Sequence, residues 1–145
     1  MAHQLLSEAE GYELLKSAGI PVPRFFVVRT AEEARNAAET IGYPVVMKVI
    51  SQQVVHKTDA GGVVLNIRSL AESTDAFEKI SRDVKEKVPG AVINGILVVQ
   101  QLTPGLELII GGKTDPAFGK VITIGAGGTL VELLRDVSIR VLPVD

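Results

Sequence analysis

Residues 44–62, PVVMKVISQQVVHKTDAGG, place a lysine inside an apolar run and a histidine at the head of a polar, glycine-ended loop. Val45, Val46, Met47, Val49 and Ile50 read as a buried strand, in which an ammonium group such as Lys48 is costly unless an anion meets it. His56, Lys57, Thr58 and Asp59 then precede Ala60, Gly61 and Gly62, so a titratable nucleophile stands beside backbone able to curl its N–H groups around a phosphate. The short apolar run Val63 to Ile67 closes the unit as a second strand. Its charged residues point to phosphate chemistry.

On the N-terminal side, Ser7 with Glu10 forms a capping box, and Tyr12, Leu14 and Leu15 supply an apolar stripe that predicts a helix over about Glu8 to Ala18, ended by Gly19. Ile20-Pro21-Val22-Pro23 forces extended backbone into a strand at Phe25 to Val28. Thr30 with Glu33 repeats the cap, and Ala34, Ala37, Ala38 and Ile41 predict a core-facing helix from Ala31 to Ile41. On the C-terminal side, Leu70 to Val88 has helical spacing through Ala76, Phe77, Ile80 and Val84 and stops at Pro89-Gly90. Gly95 to Leu102, Glu107 to Gly112 and Lys120 to Ile124 follow as strands, with an amphipathic piece at Thr129 to Asp136 and a last strand at Ile139 to Leu142. Short links between these strands favour antiparallel pairing. The expected class is α/β of the α+β kind, with helices covering a mixed, largely antiparallel sheet.

A length of 145 residues suits one ordinary domain or part of a larger one. No apolar run approaches the roughly 18 residues that span a bilayer, and the N-terminus lacks the basic-then-apolar order of a secretory signal. No membrane segment is expected, and a cytoplasmic location is. The absence of cysteine removes disulfides and thiolate chemistry, and two histidines speak against an all-protein zinc site. A net charge of −2 and 4% aromatic residues give no support for nucleic acid as a partner. Gly112-Lys113 lacks the upstream glycine of a Walker loop, because position 107 is glutamate, and GAGGTL lacks the third glycine of a dinucleotide fingerprint.

Five residue groups could carry chemistry. Lys48 could neutralise nucleotide phosphates from the sheet floor, or be an edge-strand lysine reaching water. His56 could accept a phosphoryl group, or be an ordinary loop histidine. Gln100, Gln101 and Leu102 end an apolar strand where an adenine edge could pair with backbone, or simply end it. Glu107 could accept hydrogen bonds from ribose hydroxyls, or face water. Gly125 to Gly128 could form an anion nest, with Gly127 and Gly128 joining Gly61 and Gly62 as phosphate-loop candidates and Glu132 and Asp136 near a metal–phosphate group; the alternative is a glycine turn before a solvated acidic face.

Five segments occur in one order across nearly the whole chain: GIPVP (19–23), GYPVVMKVIS (42–51), VVHKTDAGGVVLNI (54–67), DPAFG (115–119) and GAGGTLVELLRDVSIRVLP (125–143). Jointly they resemble the ATP-grasp domain of the ADP-forming (NDP-forming) acyl-CoA synthetases, the group that includes acetate–CoA ligase and is related to succinyl-CoA synthetase. The resemblance implies an ATP-grasp-like fold, Lys48 on the nucleotide phosphates, and a transiently phosphorylated His56. It implies an adenine hinge at Gln100, Gln101 and Leu102, where the family often has an acidic residue, and Glu107 near the ribose. The implied ligands are ATP or ADP and Mg²⁺, and the partner is a CoA-binding alpha subunit or domain with a second histidine, giving a hetero-oligomer. The implied reaction is the reversible conversion of acyl-CoA, ADP and phosphate into carboxylate, ATP and CoA. Metal ligands are unassigned, with Glu132 the one candidate. Members of the family continue past the RVLP segment into a further lobe, so residues 1–145 are expected to be a single region, the N-terminal and central part of that domain, inactive alone. The competing expectations are a noncatalytic nucleotide-binding or regulatory module, and an inactive subunit fragment.

Overall fold

The computed structural model describes residues 6–128 and 137–144. Its elements, in chain order, are α1 (Glu8–Ser17), β1 (Phe25–Val28), α2 (Ala31–Ile41), β2 (Val45–Ile50), β3 (Val63–Ile67), α3 (Leu70–Lys87), β4 (Gly95–Gln100), β5 (Leu108–Asp115), β6 (Gly119–Ala126) and β7 (Val137–Val141). They fall into two compact units, Met1–Leu102 and Thr103–Asp145.

The first unit is a four-stranded antiparallel sheet in the order β1-β4-β2-β3 with three helices. β2 is a central strand, and Lys48 faces Leu97 of β4 on one side and Val63 of β3 on the other. Alternation along a strand sends successive side chains to opposite faces. Val45, Met47 and Val49 therefore join α2 and α3 residues such as Ala38, Ile41, Ile80 and Val84 in the main core, while Val46 packs on the opposite face with Ala9, Leu97 and Val99. Full burial of a side chain the size of Met47 or Ile80 contributes about 1.5–3 kcal/mol, so the sheet and its two-helix cover are the stable platform of this unit.

Helix boundaries follow the caps. The Ser7 hydroxyl accepts the Glu10 N–H at 3.3 Å while the Glu10 carboxylate accepts the Ser7 N–H at 2.7 Å, closing the capping box of α1. At the other end Gly19, with φ +76°, lets its own N–H reach the Lys16 carbonyl and the Ile20 N–H reach the Leu15 carbonyl, both at 3.0 Å. The apolar face of α1 differs from the sequence expectation. Ala9 is buried and Tyr12 packs on the sheet, with its ring 5.1 Å from that of Phe25, whereas Leu14 is 60% exposed. Leu14 stands about 200° around the helix from Tyr12 and so points away from the sheet.

The second unit is an antiparallel meander, β5-β6-β7. β5 runs to Asp115, longer than the stretch ending at Gly112 that the sequence suggested, because Asp115 Oδ1 accepts the Ala117 and Phe118 N–H groups and builds the hairpin turn. Those two backbone donors, with Lys113, hold the Asp115 carboxyl below its ordinary value. The helical piece expected at Thr129 to Asp136 lies outside the described residues. No described helix is long and apolar enough to cross a membrane.

Candidate functional site

Lys48 leaves β2 on the face covered by α1, and the anion that meets it is Glu8, the first residue of that helix. Lys48 Nζ donates to Glu8 Oε1 at 2.6 Å, and Tyr12, one turn along α1, donates its hydroxyl to the same oxygen at 2.9 Å. Lys57, from the loop between β2 and β3, approaches the other oxygen, Oε2, at 3.8 Å. Burial would raise the Glu8 carboxyl, but the hydrogen bonds from Lys48 and Tyr12 and the charges of Lys48 and Lys57 outweigh it and hold the group below its ordinary value. Burial and the Glu8 carboxylate push the Tyr12 hydroxyl up, so it stays a donor. A strand cation and a loop cation thus converge on one oxyanionic group. Because β2 is flanked on both sides, the edge-strand alternative for Lys48 does not apply.

The loop bearing His56 is a tight, self-bonded turn. The Ala60 N–H donates to the His56 carbonyl, Gly61 to Thr58 and Gly62 to Lys57, at 3.1, 3.0 and 2.7 Å, and the Gly62 carbonyl accepts the Val49 N–H at 2.8 Å. The Gly61 and Gly62 amides, expected to face a phosphate, here close the turn. Their lack of a side chain serves close approach: a Cβ on Gly61, at φ +70°, would stand 2.7 Å from Asp83 Cβ, and one on Gly62 would stand 2.5 Å from Val49 Cγ1. Val54 and Ala60 are buried and anchor the loop, and Lys87 Nζ donates to the Asp59 carbonyl at 3.2 Å. His56 is exposed and lines a cavity of about 350 Å³ with Gln53, Asp59 and Lys87. Lys57 lines a different cavity, of about 590 Å³, with Glu8, Arg29 and Asn94; Val54 and Val55 border both. The loop is the wall between the two.

At the end of β4 both glutamines are committed to the fold. Gln101 Oε1 accepts the Asn66 N–H and Gln101 Nε2 donates to Asn66 Oδ1, each at 2.8 Å, clasping a residue held at φ +58°. Gln100 Oε1 accepts the Arg24 N–H at 3.3 Å, and Leu102 is 62% exposed. In the second unit Glu107 is exposed, its carbonyl accepts the Gly127 N–H at 2.7 Å, and a Cβ on Gly127 would sit 2.9 Å from the Glu107 carbonyl carbon. Gly128, at φ +76°, lies against the Glu107 carboxylate. Glu132 and Asp136 lie outside the described residues. Among the described residues no three His, Asp or Glu side chains gather to hold a metal ion.

The profile of the ATP-grasp domain family matches residues 1–145. The chain belongs to the ATP-grasp domain family. The chain is 46% identical over 139 residues to the acetate–CoA ligase [ADP-forming] I subunit beta of Pyrococcus furiosus, covering 96% of this chain and 60% of that one. It is 48% identical over 139 residues to the 4-hydroxybutyrate–CoA ligase [ADP-forming] of Nitrosopumilus maritimus, of which it covers 20%. Among solved structures, the dinucleotide-forming acetyl-coenzyme A synthetase 1 of Ca. Korarchaeum cryptofilum, in complex with coenzyme A, Ca-AMPCP and HgCl⁺, superimposes with a TM-score of 0.89 at 48% identity, over 94% of this chain and 60% of that one. A second structure of that protein, with coenzyme A and Mg-AMPPCP and its phosphohistidine segment pointing towards the nucleotide binding site, gives a TM-score of 0.80 at 43% identity, over 97% of this ATP-grasp chain and 58% of that one. This ATP-grasp chain therefore spans 60% or less of these relatives' lengths.

The site residues missed in the sequence are Glu8, Tyr12 and Lys57. Glu8 and Tyr12 stand four apart on one helix face, and that spacing, opposite a strand lysine, was the available signal.

Proposed function

We propose that this chain is the ATP-grasp portion of an ADP-forming acyl-CoA synthetase and that His56 carries a phosphoryl group to and from the nucleotide. One observation carries the reading: Lys48 of β2 and Lys57, the residue after His56, meet at a single oxyanionic group, with Nζ-to-oxygen distances of 2.6 and 3.8 Å. The Glu8 carboxylate marks the point at which both ammonium groups meet an anion, and a phosphoryl group beside it would find the same pair of cations. Relatives named as ADP-forming CoA ligases, and one solved with Mg-AMPPCP, support a nucleoside di- or triphosphate as the ligand.

In the ATP-consuming direction, an unprotonated imidazole nitrogen of His56 attacks the terminal phosphorus. The N–P bond forms as the bond to the bridging oxygen breaks, and ADP leaves with that electron pair. Lys48 and Lys57 spread the developing charge over two ammonium groups, a role that rests on positioning rather than on proton transfer. His56 borders the neighbouring cavity, so the loop swings to bring the ring to the lysines. The movement belongs to the part around Val55 and His56, both exposed, since buried Ala60 and the close approach of Gly61 to Asp83 hold the rest of the loop in place. Mg²⁺, when bound, would supply further charge neutralisation. A relative named a beta subunit supports a companion subunit or domain, and on this reading that companion binds CoA, exchanges the phosphoryl group with His56 and fixes the acyl substrate.

The test is incubation of the protein with Mg-ATP labelled at the terminal phosphate. Label that survives base, is lost in acid and is missing from His56→Asn is the expected result. Retention of such label in the His56→Asn variant refutes the role given to this residue.

A further inference from the structure

The Glu8 carboxylate is held more firmly than an incidental ion-pair partner would be. It sits in the first turn of α1, where the helix dipole favours an anion, directly after the Ser7 cap. Tyr12 anchors Oε1 from one turn further on, and Lys57 faces Oε2. Tyr12 is itself fixed by packing on Phe25. Lysine has a flexible four-carbon stem, three donors and a strong dependence on neighbours for its direction. One Lys48 donor goes to Glu8, no second acceptor stands within hydrogen-bond distance of it among the described residues, and 28% of the side chain stays exposed to meet one. An anchored carboxylate on a helix, holding a strand lysine by one donor, sets the direction of the other two before any ligand arrives.

We propose that Glu8 is a positioning residue: anchored by Tyr12 at the start of α1, it aims the Lys48 ammonium and draws Lys57, and with it the His56 loop, toward the same point. This inference deepens the phosphoryl-transfer reading and rests on it. Glu8 brings negative charge beside the phosphate it helps to position, so its benefit belongs to the transfer step and not to ground-state affinity. Loss of the charge therefore splits two quantities that a structural defect would move together.

The experiment measures, on the full-length protein, the ADP dissociation constant by calorimetry and the rate of phosphoenzyme formation at saturating Mg-ATP. Glu8→Gln is expected to bind ADP as tightly as wild type or tighter, and to form phosphoenzyme roughly ten- to a hundredfold more slowly, the scale of a misplaced catalytic group. Glu8→Asp, with the charge retained on a shorter stem, is expected to recover part of the rate. Tyr12→Phe keeps the ring against Phe25 and removes one anchor, so it should fold and show the same split at smaller size. An unchanged rate in Glu8→Gln overturns the inference, and so do affinity and rate that fall together in both Glu8→Gln and Tyr12→Phe. A wild-type protein that binds ADP but never forms phosphoenzyme overturns the underlying function reading, and the inference with it.

Discussion

Replacing Gly61 by alanine measures how firmly the His56 loop is pressed onto α3. Gly61 sits at φ +70°, where a residue with a Cβ loses roughly 1–2 kcal/mol. Its new methyl group would also lie 2.7 Å from Asp83 Cβ, an atom fixed to the α3 backbone and unable to swing aside. Overpacking of this kind adds about 1–3 kcal/mol. Gly90 provides the reference: it has φ +85°, and a Cβ added there would meet nothing within 4 Å, so Gly90→Ala carries the conformational cost alone. The entropy that alanine removes from the unfolded chain is common to both variants and cancels in the comparison. Gly61→Ala should therefore be less stable than Gly90→Ala by about 1–3 kcal/mol, a fall of about 1 M in urea midpoint at an ordinary slope. Equilibrium urea unfolding followed by circular dichroism reads this directly, with the slope checked for each variant. Equal midpoints for the two variants would refute the close docking of the loop on α3.

Three further outcomes follow from the same contacts. Ser7→Ala removes the α1 cap and should cost about 1 kcal/mol in the same unfolding assay; a neutral effect would mean that α1 contributes nothing to the cooperative unit. Gln101→Ala leaves the strained Asn66 without its clasp of two hydrogen bonds and should cost about 1–3 kcal/mol, whereas Gln101→Glu, which keeps one acceptor, should cost less. The third is a pH dependence. The Glu8 carboxyl is depressed in the folded state, so the unfolded chain binds the extra proton first; its stabilisation is full above the unfolded value of about 4.3 and fades as pH falls through the lower folded value. The stability difference between wild type and Glu8→Gln should accordingly be constant near neutrality and shrink in acid. A difference that grows as pH falls reverses the sign and rejects the account of this ion pair.

Where capping chemistry and glycine stops agree with apolar period, the sequence was sufficient. α2, from the Thr30 cap to Gly42, and the strands β1 and β3 occupy the expected residues, and the short link between β5 and β6 makes the expected antiparallel pair, whereas β4 pairs with β1 and β2 across long connections. Local pattern failed where a long-range contact decides. Leu14 reads as core by being apolar, yet the sheet meets α1 through Ala9 and Tyr12. Gly61 and Gly62 read as amide donors, whereas tertiary approach of Asp83 and Val49 is what requires glycine there. The side chains of Gln100 and Gln101 are spent on the backbone of Arg24 and Asn66, partners 76 and 35 residues away that no local pattern reveals. Lys48 was legible as a charge needing an anion; that Glu8, 40 residues away, supplies one was not, because sequence distance hides a helix folded over a strand.

The central claim is that Lys48 and the His56 loop act on one phosphoryl group. Its most direct measurement is peptide-level mapping of phosphate by mass spectrometry, under conditions that preserve phosphohistidine, after reaction of the wild-type protein and Lys48→Met with Mg-ATP. The account predicts phosphate on His56 in the wild type and a severe loss of it in Lys48→Met with His56 intact. Phosphate on His56 at undiminished rate without the Lys48 ammonium, or phosphate on another residue altogether, would contradict it.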